Sequence, residues 1–263
     1  MGYSVKCGKN PGERLTFPGV CGTIFLQISC RYSPGFMARA FLPRRLRWDD
    51  WRFFGRSDSR FSLLFIYIWG ALVMKALEEK IVKEGVWLPG NILKVGSFLN
   101  HQIDGKFMME LGEEIARLFA QEKIDRILTI ETSGIPLAMA ASVALGVPMV
   151  FAKKNRTSNL SGGLYQTVVH SYTHNTDYTV VVEKQYLPAG ERVLLVDDFL
   201  ANGRALMGLM ELVNQAGSQT VGAVAAIEKG FQKGGDLLRS QGLRVEALAL
   251  IDSMDNGNLV FRR

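Results

Sequence analysis

From Met74 onward, short apolar runs alternate with stretches in which apolar residues recur every three or four positions. The clearest case is Val193-Leu194-Leu195-Val196, four apolar residues without a polar partner, the pattern of a strand buried on both faces of a parallel sheet. Asp197 and Asp198 are expected to end this strand. The small-residue loop Ala201-Asn202-Gly203-Arg204-Ala205 follows, and a 3.6-residue period then sets in through Leu206, Leu209, Met210, Leu212 and Val213. Similar junctions recur elsewhere. Met74 to Gly85, with Leu77, Ile81 and Val82, predicts a short amphipathic helix closed by a glycine. Residues 92–104 read as a strand-like piece running into a polar tip. A helix over about 104–122 should bury Met108, Leu111, Ile115, Leu118 and Phe119.

Arg126–Ile130 predicts a strand that ends in Glu131-Thr132-Ser133-Gly134, followed by a helix over Ile135–Leu145. Residues 146–152 form another strand, leading into Lys153-Lys154-Asn155-Arg156. Polar residues and β-formers over 157–184 predict a long loop or hairpin able to act as a lid. A strand over 221–229, a helix near 232–241 and strands over 244–250 and 258–262 complete the chain. Strands alternating with helices predict an α/β domain with a parallel sheet, whose ligands sit at the carboxyl ends of the strands. Residues 131–134, 197–205 and 228–229 all fall at such ends.

Composition divides the chain. Residues 1–73 hold 11 of the 31 Lys and Arg but 4 of the 25 Asp and Glu, a net of +7, so the remainder carries −1 of the total +6 and the basic character resides in the first part. Cys7, Cys21, Cys30 and three of the four tryptophans also lie in this part. An odd, irregular cysteine set is no disulfide framework, and the cysteine-free remainder fits the cytoplasm. Neither a secretory signal nor an apolar run near the roughly 20 residues of a spanning helix is present, so no membrane association is expected. Three readings of residues 1–73 compete. Arg44, Arg45, Arg47, Trp48, Trp51, Arg52, Arg56 and Arg60 would suit a nucleic-acid-binding appendage. The others are an unstructured or processed extension, and translation that begins at Met74; the abrupt change of composition at a methionine favours the last. Residues 1–73 are thus expected to be a basic extension and 74–263 a separate folded domain.

The candidate chemistry follows from the junctions. A helix N-terminus after a small-residue loop presents free N–H groups and a positive dipole end, which suit a phosphate. Asp197 and Asp198 repel phosphate and so address another part of the same ligand, such as vicinal ribose hydroxyls. Glu131 to Gly134 offers N–H groups and a hydroxyl to a second phosphate, against the plainer reading of a tight turn. Lys153, Lys154 and Arg156 could meet anionic oxygens or form a solvated basic loop. Lys229 ends an apolar strand and could donate to a carbonyl oxygen or ring nitrogen of a base, unless it is merely solvated.

The stretch Val193 to Ala205 resembles the phosphoribosyl-pyrophosphate (PRPP) motif of type I phosphoribosyltransferases. Leu93 to Asp104, Asp197 to Gly203 and Ile227-Glu228-Lys229 together make residues 74–263 similar to the bacterial xanthine phosphoribosyltransferases. That resemblance implies a type I fold, a central parallel sheet flanked by helices with a small hood and a mobile hairpin lid. It further implies xanthine contacts at Leu93, Asn100 and Lys229, the PRPP 5-phosphate on Ala201, Asn202, Gly203, Arg204 and Ala205, and pyrophosphate at Glu131, Thr132, Ser133, Gly134 and Lys153. Asp197 and Asp198 become the catalytic pair. Mg2+ is carried by PRPP and pyrophosphate without a direct protein ligand, and the partners are PRPP, a purine base and a second copy in a homodimer, with no nucleic acid. Thr132, Pro136-Leu137 and Arg204 depart from the family pattern, and Arg204 bears on phosphate affinity.

The implied reaction transfers ribose 5-phosphate from PRPP to xanthine, giving xanthosine 5'-monophosphate (XMP) and pyrophosphate. Related hypoxanthine-guanine enzymes carry an aspartate where this loop has Ala201, so no general base is evident and xanthine is expected to enter partly as its anion. Two alternatives remain: a purine-operon repressor that senses PRPP through a domain of this type, and an enzyme acting on hypoxanthine or guanine. Lys229 speaks against adenine, because an ammonium cannot accept from an amino group.

Overall fold

The computed structural model describes residues 25–29, 37–41, 59–154, 163–171, 176–255 and 258–262. Cys7, Cys21, Cys30, the arginines between 44 and 56, Trp48, Trp51, Asn155, Arg156 and most of the expected lid tip lie outside them. The chain divides into two units, Met1–Leu64 and Phe65–Arg263. In the first, β1 (Phe25–Ser29) and β2 (Met37–Phe41) pair antiparallel, Phe25 opposite Phe41.

The helix expected to open at Met74 instead belongs to α1 (Ser59–Glu84). The run before Met74 contains no proline, and once a helix is nucleated each added residue gains a hydrogen bond, so it extends backward through Phe61–Val73. Val73, Leu77 and Ile81 form its buried stripe. Val82, expected inside, is exposed because five residues at 100° each carry it off that stripe. Residues 92–104 are also corrected. Only β4 (Ile92–Lys94) is strand, paired with β3 (Val86–Leu88). The chain then winds through a π-helical turn, Gly96–Asn100, whose Phe98 and Leu99 are buried. The hairpin and this turn form a small hood.

Eight strands build the main sheet, in the order β12-β11-β10-β9-β5-β6-β8-β7. They are β5 (Arg126–Ile130), β6 (Met149–Lys154), β7 (Leu164–Ser171), β8 (Thr176–Glu183), β9 (Arg192–Leu200), β10 (Gln219–Lys229), β11 (Val245–Asp255) and β12 (Asn258–Phe261). The centre is parallel, β6-β5-β9-β10-β11, while β12 and the β7–β8 hairpin add antiparallel edges. Much of the expected lid is therefore part of the sheet.

Two cores lie on the two faces. The first takes Leu194 and Val196 of β9 with α1, the hood, α2 (Gly105–Leu118) and α3 (Ile135–Leu145). The second takes Val193 and Leu195 with β6, β8, α4 (Arg204–Gln215) and α5 (Gly234–Ser240). Each fully buried leucine or isoleucine contributes about 1.5–3 kcal/mol by leaving water. Asp104 caps α2 by accepting from the Phe107 amide at 3.2 Å. Its other oxygen meets Lys80 at 3.2 Å, and the same ammonium reaches Glu84 at 3.1 Å and lies over the rings of Phe98 and Phe107. The exposed edge β7 is held on its outer side by Gln215, whose carboxamide answers both the N–H and the C=O of Gln166.

Candidate active site

Strand β9 lies between β5 and β10, so the junctions after these three strands converge on one edge of the sheet. Contrary to expectation, Asp197 and Asp198 do not end β9: pairing continues to Leu200, and Phe199 and Leu200 are registered with Ile227 and Glu228. Ladder hydrogen bonds use only the backbone, so two acidic side chains can be carried within a strand whose far end is free for ligand.

Alternation along β9 sends the two carboxylates to opposite faces. Asp198, on the hood side, accepts from the Asn100 amide nitrogen at 2.8 Å and from the Ser133 hydroxyl at 3.0 Å. Asp197, on the lid side, accepts from the Asp198 amide at 3.0 Å. It is 5% exposed, and burial, reinforced by the neighbouring Asp198 charge, pushes its pKa well above the usual carboxylate value. Lys154 opposes that shift, and the Asp197 charge adds to burial in raising the Tyr178 hydroxyl. The Lys154 ammonium lies 5.1 Å from the centre of the Tyr178 ring.

The loop after β5 packs tightly beneath this pair. A side chain at Gly134 would overlap the Thr129 hydroxyl and crowd Asp197 Oδ1 at 3.0 Å. Among the described residues, that Thr129 hydroxyl is buried without a hydrogen-bond partner. Glu131 accepts from the Lys154 amide at 2.6 Å, and the Glu131–Thr132 peptide is cis. Thr132 is exposed and Ser133 half-buried. The loop after β9 turns through Gly203, whose φ of 82° suits glycine, and α4 begins at Arg204 without a side-chain cap at Gly203. Among the described bonds of this loop, the Arg204 amide donates to Asn202 Oδ1 at 3.2 Å. Ala201, Asn202, Gly203, Arg204 and Ala205 thus form an uncapped helix start, the arrangement that takes an anion.

On the β10 side, Lys229 donates to the Asn91 carbonyl at the hood tip at 3.0 Å, and its ammonium lies 5.4 Å from the Phe199 ring centre. Burial lowers its pKa. Glu228, 1% exposed, is gripped by Arg239 at 2.9 and 2.7 Å. Asn100 and Lys229 thus both stand at the hood-side edge. Leu93, expected beside them, packs into the first core at 6% exposure. Lys153 and Lys154 are separated by the same alternation. Lys154 shares the face of Ala152 and Leu195 with Asp197, whereas Lys153 lines a cavity of about 220 Å³ with Met149, Phe151 and Tyr186, which neither aspartate lines.

Residues 95–249 match the family model described as a phosphoribosyl transferase domain. The chain belongs to the phosphoribosyltransferase family. Curated members similar to it include the xanthine phosphoribosyltransferase of Clostridioides difficile, 50% identical over 190 residues, which covers 72% of this chain and all of that one. The protein of that name in Bifidobacterium adolescentis is 50% identical over 192 residues, with the same coverage. Among solved structures, the adenine phosphoribosyltransferase of Saccharomyces cerevisiae superposes with a TM-score of 0.55 at 22% identity, over 68% of this chain and 99% of that one, and supports the type I fold.

Within this candidate site, three residues were not named from sequence. Asn91 offers a backbone carbonyl, announced only by Gly90-Asn91 as a turn signal in a hairpin. Phe199 reads as one more apolar residue. Tyr178 reads as an ordinary strand residue, and only the pairing of β6 with β8 brings it to Lys154.

Proposed function

We propose that the protein transfers the 5-phosphoribosyl group of PRPP to xanthine, releasing pyrophosphate and XMP. The observation that carries this reading is the convergence, on one sheet edge, of the acid pair, the uncapped start of α4 and the hood-held Lys229. The family membership and the names of its relatives support it. In the step, the C1–O bond to pyrophosphate breaks, the bond from C1 to the purine nitrogen forms, and the nitrogen's proton passes to water unless xanthine has entered as the anion.

Each part has a physical task. The start of α4 holds the 5-phosphate through N–H groups and the dipole. Asp197 and Asp198 accept the ribose hydroxyls and face the positive charge that develops on the sugar. Glu131 to Gly134, with Lys154 alongside, receives pyrophosphate. Asn100 keeps its own carbonyl oxygen for a purine N–H while its amide nitrogen stays on Asp198, joining base to ribose. Lys229 gives its ammonium to a purine carbonyl in exchange for the Asn91 carbonyl, and Leu93 contributes through the backbone of β4.

Mg2+ would be carried by the phosphates of PRPP and pyrophosphate; Asp197 and Asp198, on opposite faces of β9, do not converge on one ion. When bound, it neutralises charge building on the departing pyrophosphate. The exposed apolar residues Met139 and Val143 of α3 support pairing with a second copy. No helix among the described residues is long and apolar enough to cross a membrane, and a cytoplasmic location accords with the reaction. Steady-state assay of pyrophosphate release from PRPP against a panel of purines tests the reading. The highest kcat/KM is expected with xanthine; preference for hypoxanthine or guanine would reassign the base. No turnover with any purine, together with salt-sensitive operator binding, would make it a repressor.

A further inference from the structure

The start of α5 lies directly against the loop that follows β9. The Gly234 amide donates to the Ala201 carbonyl at 3.0 Å. A single methyl at Gly234 would overlap Ala201 O, Asn202 C and Gly203 N, all backbone atoms of that loop, and Gly203 approaches the Gly234 carbonyl so closely that its own Cβ would stand 3.2 Å from it. Backbone cannot swing aside as a side-chain end can, so only glycine permits this contact. We infer that Gly234 is a positioning residue for the 5-phosphate, forming the floor on which Ala201–Gly203 rests.

The loop needs such a floor. It has no side-chain cap at Gly203, and one internal bond, Asn202 Oδ1 accepting from the Arg204 amide, braces it from within. The floor itself is anchored. Arg239, five residues into α5, grips the buried Glu228 and also donates to the Val245 carbonyl at 3.2 and 3.1 Å. Glu228 immediately precedes Lys229. One stretch, Glu228 to Arg239, therefore holds both the purine lysine and the underside of the phosphate loop, and fixes their separation. Bond formation at C1 needs the ribose held from its 5-phosphate while the base is held from Lys229, and a displacement of about 1 Å in such an arrangement costs up to about 10²-fold. This inference rests on the proposed transferase reaction.

The test separates substrates by whether they carry a 5-phosphate. PRPP and XMP do; xanthine and pyrophosphate do not. Gly234→Ala should raise KM for PRPP in the forward direction and for XMP in the reverse direction together, by about 10-fold or more, and leave xanthine and pyrophosphate within about two-fold. A uniform change across all four, or none, would overturn the inference. Hydrogen exchange on the unaltered protein decides the matter if that variant fails to fold. Ribose 5-phosphate should slow exchange of the Gly234 amide and xanthine alone should not; a Gly234 amide indifferent to ribose 5-phosphate overturns it. Absence of XMP formation by the unaltered protein would instead remove the transferase reading.

Discussion

The hood side and the lid side of the sheet hold neighbouring aspartates in opposite ways. On the hood side Asp198 meets two side-chain donors, Asn100 and Ser133, which fix its orientation before any ligand arrives. On the lid side Asp197 is just as deeply enclosed, and the donor given to it among the described residues is the Asp198 backbone amide. One carboxylate is held by hydrogen bonds and the other is held under electrostatic stress. The difference teaches that a strand can place identical side chains one residue apart and give them different energetic roles, because each belongs to a different core.

The sharpest way to break that contrast is to neutralise each carboxylate without changing its size. Under the proposed reaction, Asp198→Asn and Asp197→Asn should both lower kcat/KM by at least about 10²-fold, since each would remove a negative charge facing the reacting sugar. Their stabilities should move apart. Asp198→Asn loses charge-assisted hydrogen bonds and should cost about 1.5–3 kcal/mol. Asp197→Asn should stabilise the fold at neutral pH by on the order of 1 kcal/mol, or about 2–4 °C in Tm. The sign follows from linkage. A carboxyl whose folded pKa is raised above its unfolded value of 3.8 binds its proton more tightly when folded, so the native state loses stability as pH rises from there. The advantage of Asp197→Asn should therefore open above about pH 4 and close below it. Thermal melts from pH 3 to 8 check this, and equal shifts for both variants would erase the contrast.

Much of this arrangement was legible in the sequence. The 3.6-residue period in α2 and α4, the apolar run of β9 and the small-residue loop Ala201–Ala205 depend on neighbouring residues, and they were readable from sequence as the elements that meet at the sheet edge of the candidate site. What was not legible depends on pairing. The continuation of β9 through two acids is set by β10, whose register with Phe199 and Leu200 no local pattern announces. The folding of 96–100 into a π-helical turn follows from burying Phe98 and Leu99 against α1 and α2, a tertiary demand that overrides the strand-like look of the segment. Gly234 lies inside the helix expected near 232–241, and nothing local marks it, because the loop it supports is some thirty residues away.

A smaller effect sharpens the lid side. Lys153 and Lys154 are alike in sequence and exposure, yet only Lys154 shares a face with Asp197 and stacks on Tyr178. Lys154→Ala should lower kcat/KM by about 10-fold, partly restored by Lys154→Arg, and should shift the acid limb of the pH–rate profile upward, because the charge opposing Asp197 protonation is gone. Lys153→Ala should change kcat/KM by less than about two-fold. Equal losses for the two lysines would mean that strand alternation does not decide which of them serves the site.

The smallest effect probes the hood side at Asp104, where hydrogen bonds again hold a carboxylate. The Phe107 amide, then Lys80, pulls its pKa below 3.8, the reverse of Asp197. A lowered folded pKa gives stability that is fully present above the unfolded value and is lost as pH falls through the folded one. Asp104→Ala removes both the cap of α2 and the ion pair and should cost about 1 kcal/mol. Asp104→Asn keeps a capping oxygen and loses only the charge, which on a partly exposed site is worth a few tenths of a kcal/mol. Melts of the two variants should thus straddle a narrow interval at pH 7. The Asn variant should rejoin the parent protein in acid from the less stable side, whereas Asp197→Asn rejoins it from the more stable side. If both asparagine variants approached the parent from the same side, the opposition between bonded and stressed carboxylates would have no thermodynamic content.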